Sequence, residues 1–286
     1  MRHALRLTVG PVTFRVSAER RALIDALATL YRDYPQPDAA IPDYTVRLEA
    51  PRPWRRYVRP QVEVAGDYQL PGTAPLPLAH ALLAAEMAMN LQMALGHRRH
   101  LLLHAASVER DGRVLVMTGE SGAGKSTLAT LLAARGWRFL GDEFALIAPD
   151  TGLAHPFPRL ISLKNESVAA AMAAWPDARL GPELRNTPKG TIRHLVPPAE
   201  AVARMDEPGA PALILFPRFG HAPAIAPVPA AEAFVRLTEA STNYVALGEA
   251  GFGALTRLVR DVPAVALDYP DGAAGVAAVE RVWASL

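Results

Sequence analysis

Two kinds of hydrophobic pattern divide the chain near residue 98. Before it, short stretches alternate between apolar and polar residues. Residues 4–9 and 12–16 predict two strands joined at Gly10-Pro11, and residues 44–48 predict a half-buried strand. Residues 58–70 predict a hairpin turning at Ala65-Gly66-Asp67. Leu23, Leu27 and Leu30 share one face of a helix over 19–31, which Ser17 can cap. A second helix is expected over 78–95. After it, the apolar runs become continuous. Residues 101–103 and 105–108 predict one buried strand broken by His104, and 114–117, 144–147 and 213–216 predict further buried strands. Leu128, Leu131 and Leu132 recur at helical spacing up to Gly136, a C-terminal stop. Strands are expected at 160–163, 191–196 and 264–268, and helices at 168–174, 230–240, 252–260 and from about 273. The expected organisation is an α+β domain over 1–98, serving docking or oligomer contacts, and an α/β domain over 99–286.

Composition narrows the classes. The chain has 286 residues, is 50% hydrophobic and carries a net charge of +2, enough for a sizeable core and without long runs of one sign. Nucleic acid is therefore not an expected partner. Arg52, Arg55, Arg56 and Arg59 are expected to form a solvated face. There is no cysteine, which excludes structural disulfides and Cys-ligated zinc. The start lacks a secretory apolar segment. Residues 76–95 form the one membrane candidate, but His80, Glu86, Asn90 and Gln92 fit a helix packed on a core better. A cytoplasmic protein without stable membrane insertion is the expectation, and a homo-oligomer stays open.

The stretch Gly119-Glu120-Ser121-Gly122-Ala123-Gly124-Lys125-Ser126-Thr127 fits G-x-x-x-x-G-K-[ST], with a strand before it and a helix after it. Its glycines allow conformations that a Cβ blocks, so successive N–H groups can face a polyphosphate at a helix N-terminus. Lys125 supplies charge for the β- and γ-phosphates, and the Ser126 hydroxyl can ligate Mg²⁺. These nine residues are the expected nucleotide site. Asp142 and Glu143 follow an apolar stretch, where a metal ligand or a base would sit. Arg159, Lys164 and Asn165 either bind phosphate or substrate oxygens or simply flank a strand. Lys189 and Arg193 lie on a polar, basic segment around Gly190, of the kind that often carries function.

The strings LLLHAASVER, TGESGAGKSTL, RGWRFLGDE, PRLISLKNES, TPKGTIRHL, LILFPRF and TNYVALGEAGF run from His104 to about Phe252. Together they resemble the HPr kinase/phosphorylase superfamily, and more narrowly its HprK-related kinase A group. The resemblance implies a phosphate-loop kinase domain of the HPr kinase/PEP carboxykinase-like type, using ATP and Mg²⁺. It implies Asp142 as the base, Glu143 as a metal ligand beside Ser126 and Asp142, and His104 near the reacting phosphate. Lys189 and Arg193 are then candidates for a cationic clamp, with Lys164 and Arg159 weaker ones. Glutamate stands where that family has a second aspartate, and its Glu-x-Arg-Gly signature is only echoed at Glu183-Leu184-Arg185-Asn186. The expected function is transfer of a γ-phosphoryl group to a hydroxyl, foremost a serine of a peptide or protein. The alternatives are a kinase for free serine or a sugar, and a nucleotide-binding switch with slow hydrolysis.

Overall fold

Alternation along the first strands translates directly into burial. In β1 (His3–Val9), Leu5, Leu7 and Val9 are buried; in β2 (Val12–Ala18), Val12, Phe14 and Val16 are. The two pair antiparallel around Gly10 and Pro11, with Val9 opposite Val12. Helix α1 (Arg21–Leu30) buries Leu23, Ile24, Leu27 and Leu30, and carries the chain to β3 (Tyr44–Glu49), parallel to β2. Antiparallel β4 (Gln61–Gly66) and β5 (Leu76–Pro77) complete a five-stranded sheet. Helix α2 (Ala81–Gly96) packs on β3 and β4. The segment Leu78–Gly96 is long and apolar enough to cross a membrane, yet 61% of it is buried within the protein. Its buried Glu86 accepts a hydrogen bond from Tyr31 at 2.8 Å.

The structure, a computed structural model, describes residues 3–286. Over these the chain is a mixed α/β protein with four sheets, and it divides into two units. The first contains the residues up to His97 together with Gly181–Ile192; the second contains Arg98–Leu180 and Arg193–Leu286.

The expected hairpin over 58–70 does not form. Beyond Gly66 the Asp67 carboxylate accepts the Thr45 N–H at 2.6 Å. Gln92 of α2 holds both Tyr68 backbone groups, accepting its N–H at 2.8 Å and donating to its carbonyl at 2.9 Å. A Cβ on Gly66 would lie 2.6 Å from the Gln92 amide nitrogen, so glycine is what lets helix and strand meet here. The return strand waits until β5, where Pro77 faces Gln61.

The second unit begins with β6 (Leu101–Leu103), β7 (Ala105–Arg110) and β8 (Arg113–Thr118), followed by α3 (Lys125–Ala133). Then come β9 (Arg138–Gly141), β10 (Ala145–Ile147), β11 (Ala154–His155), β12 (Ile161–Lys164) and α4 (Glu166–Ala174). The hairpin β13 (Leu184–Thr187) and β14 (Gly190–Leu195) spans the segment that returns to the first unit. The rest is α5 (Ala199–Ala203), β15 (Ala210–Phe219), β16 (Ala224–Pro227), α6 (Ala230–Ala240), α7 (Tyr244–Leu247), α8 (Glu249–Asp261), β17 (Ala264–Tyr269) and α9 (Gly272–Ala284).

Its main sheet has the order β16-β17-β15-β8-β7-β9. Continuous apolar runs are explained by cover on both faces. Leu115, Met117, Leu213 and Leu215 pack with Leu128, Leu132, Val276 and Val279 from α3 and α9. Val114, Val116, Ile214 and Phe216 point the other way, toward Leu237, Leu255 and Leu258 from α6 and α8. The strand expected to continue through His104 instead changes sheets there. β6 joins β10, whereas β7 joins β8 and β9. The His104 N–H donates to Ala240 at 2.8 Å, and its carbonyl accepts from the Thr118 hydroxyl at 3.0 Å.

Strand direction determines what collects at one sheet edge. β8, β15 and β17 are parallel, so their carboxyl ends, Thr118, Phe219 and Tyr269, share an edge. β7 is antiparallel to β8, so its beginning, next to His104, lies at the same edge. β9 is antiparallel to β7, which brings its carboxyl end and the following Asp142 there too.

Candidate active site

Residues Gly119–Gly124 bridge β8 and α3 as the sequence pattern requires. Gly122 and Gly124 have φ of +93° and +91°, where a side chain is strained. Gly124 has no room for one either: its Cβ would lie 2.2 Å from the Tyr269 hydroxyl. Lys125 opens α3 and is buried, its Nζ donating to the carbonyls of Gly119 at 2.7 Å and Glu120 at 3.0 Å. Burial depresses its pKa, against the opposing pull of Asp142 and Glu143.

A cavity of about 460 Å³ opens over this loop, within the usual size range of small-molecule sites. Of the residues expected from sequence, His104, Ser121, Gly122, Gly124, Lys125, Ser126, Thr127, Asp142, Glu143 and Lys164 line it. Gly119, Glu120 and Ala123 belong to the loop without lining it. Arg159, Asn165, Lys189 and Arg193 do not line it either. Arg159 is buried, its guanidinium 5.9 Å from the Phe157 ring centre, and Asn165 takes a positive φ at the start of α4. The Lys189 N–H donates to the Thr187 hydroxyl in the β13–β14 turn of the first unit, whereas Arg193 belongs to β14 in the second. Sequence reasoning missed Ser162, Phe219, Tyr269 and Asp271, which also line the cavity. Ser162 and Phe219 lie within the strings PRLISLKNES and LILFPRF without standing out there, and Tyr269 and Asp271 lie outside every quoted string; the fold brings the four to one cavity.

Asp142 is buried, and burial first, then the neighbouring Glu143 charge, raises its pKa to about 7. The Ser126 hydroxyl and the Ser162 N–H donate to it and offset part of that rise. Its Oδ1 is buried with no hydrogen-bond partner among the described residues. An orphaned buried carboxylate oxygen beside a serine hydroxyl and a second carboxylate suits a hard cation. No cluster of three or more His, Asp or Glu residues forms a metal site among the described residues. Mg²⁺ does not need one, because phosphate and water oxygens complete its shell.

His104 Nδ1–H donates to the Glu143 carbonyl at 3.2 Å and lies 3.7 Å from the Glu143 carboxylate. Burial lowers its pKa despite that carboxylate, which favours a neutral ring with Nε2 as acceptor.

The family model that matches the chain is described as SynChlorMet cassette protein ScmC, and it covers residues 80–174. The match takes in His104, the glycine loop at 119–127, Asp142, Glu143 and Lys164, over roughly a third of the chain. It corrects the expected resemblance: no HPr kinase family model matches, so the chain is not placed in the HprK-related kinase A group. A strand, a glycine loop and a following acidic pair recur in unrelated families, so matching them does not by itself assign one. No curated protein sequence matches the chain.

Proposed function

We propose that this chain is an ATP-dependent phosphotransferase that moves the γ-phosphoryl group to a hydroxyl, foremost a serine of a peptide or protein. In this reading the second unit is a phosphate-loop kinase domain. One observation carries it: Asp142 is buried in the wall of the cavity that Lys125 and Ser126 line, with one oxygen free to accept a proton or a cation. A carboxylate serving only structure would have both oxygens satisfied.

Phosphoryl transfer asks the protein chiefly for positioning and for charge stabilisation. Loop N–H groups and the α3 N-terminus hold the polyphosphate. Lys125 exchanges the Gly119 and Glu120 carbonyls for phosphate oxygens. Asp142 takes the proton of the acceptor hydroxyl as its oxygen bonds to the γ-phosphorus, and the bond to the β–γ bridging oxygen breaks to release ADP. Lys164, inside the cavity, offsets charge on the transferred group. His104, with its ring neutral, and Glu143 flank the reacting side. Ser126 and Glu143, beside Asp142, are the residues that would hold Mg²⁺, which when bound would neutralise phosphate charge. The absence of cysteine fits the reducing, cytoplasmic setting we assign.

The test is transfer of label from γ-labelled ATP to seryl peptides, free serine and sugars. Asp142→Asn should lower turnover about 10²–10⁴-fold, the range for a general base, while ATP still binds. Label released only as free phosphate, with no acceptor modified, would replace this reading with the nucleotide-switch one.

A further inference from the structure

The cavity has two chemically different ends, and sheet order separates them. β8, which delivers the phosphate loop, has β7 and β9 on one side and β15 and β17 on the other. His104 and Asp142 adjoin β7 and β9, whereas Phe219 and Tyr269 end β15 and β17. A polyphosphate in the loop with its terminal phosphate toward Asp142 therefore directs its other end toward the aromatic side.

Phe219 is 52% exposed, although the same strand buries its other large apolar residues, Leu213 to Phe216. It lies against the loop: its Cβ would be 3.1 Å from a Cβ on Gly124. A buried tyrosine backs it. Tyr269, 2% exposed, meets the Phe219 ring edge-on at 5.7 Å between centroids, and its hydroxyl donates to Ala123 of the loop at 3.4 Å. The next residue, Gly220, donates its N–H to the Tyr269 carbonyl at 2.8 Å. A braced ring left open beside a phosphate loop offers a flat π-face to something flat. Phosphate cannot use such a face, and a nucleobase can.

We infer that Phe219 is the stacking platform for the base of the bound nucleotide, so that this site takes a nucleoside triphosphate rather than inorganic polyphosphate. This rests on the phosphate-loop reading above. The test is calorimetric titration of the full chain, in Mg²⁺, with ATP and with inorganic tripolyphosphate. Phe219→Ala should weaken ATP about tenfold or more, the loss of one base–aromatic stack, and leave tripolyphosphate within about twofold. Phe219→Trp should restore ATP binding. Unchanged ATP affinity in Phe219→Ala, with both ligands still bound, overturns this inference alone. Failure of the unaltered protein to bind either ligand overturns it together with the phosphate-loop reading.

Discussion

Lys164 shows how a single side chain gains or loses a role by position. The resemblance read from the sequence puts Lys189 and Arg193 ahead of Lys164 as a cationic clamp. In the fold it is Lys164 that lines the loop cavity, close enough for its charge to act on Asp142, His104 and Lys125. Replacing Lys164 with Gln should lower turnover about 10²-fold, as for loss of one transition-state cation or donor, with little change in ATP affinity by calorimetry. A weakened ATP Kd with turnover intact would assign it to ground-state binding instead. His104 teaches a related lesson. A lone histidine in an apolar strand is ordinarily a core residue, and this one reaches the cavity because the strand ends beneath it.

At the scale of elements, the edge strand β9 is fastened by a buried ion pair. Arg138 donates to the Glu109 carboxylate on neighbouring β7, and both side chains are 4% exposed. It also donates to the carbonyls of Arg204 at 2.7 Å and Glu207 at 3.0 Å. Burial works to raise the Glu109 pKa, but hydrogen bonds from Arg138 and from the Gly112 N–H outweigh it and leave it below the ordinary value. Removing the partner strands a buried charge, so Arg138→Met should cost about 3–5 kcal/mol in denaturant unfolding. The pH dependence carries a sign. A carboxylate depressed in the folded state contributes fully above its unfolded value, about 4.3, and the contribution drains as pH falls toward the folded value. In the variant, burial without Arg138 raises Glu109, and acidification relieves it. The Tm gap between the two proteins should therefore narrow from pH 7 to pH 4, and a constant gap would exclude this linkage. Because Asp142 directly follows β9, the pair also steadies the strand that delivers the proposed base.

For the whole molecule, the site belongs to the second unit alone, assembled from segments as distant in sequence as His104 and Tyr269. Ligand binding should then appear as stability of that unit. Mg²⁺ and ATP at about 100 times Kd should add about 2.7 kcal/mol, slowing hydrogen exchange at β8 and α3 amides that open globally. Unchanged protection at saturating ATP would mean that the loop does not bind it.

Local physics made much of this chain legible in advance. Glycines at 119, 122 and 124 with Lys125 and Ser126 form a motif whose requirements lie within nine residues. The alternation of β1 to β3 and the continuous runs of β8 and β15 report one-sided or two-sided burial through side-chain period alone. What the tertiary structure decided is everything that depends on strand direction and on partners far along the chain. Gln92 turns an expected hairpin into an open excursion, and His104 becomes a junction between sheets. Lys164 rather than Lys189 enters the cavity, and Phe219 is left uncovered beside the loop. Periodicity tells a residue which face it occupies; only the order and sense of the paired strands tells it which residues it will meet there.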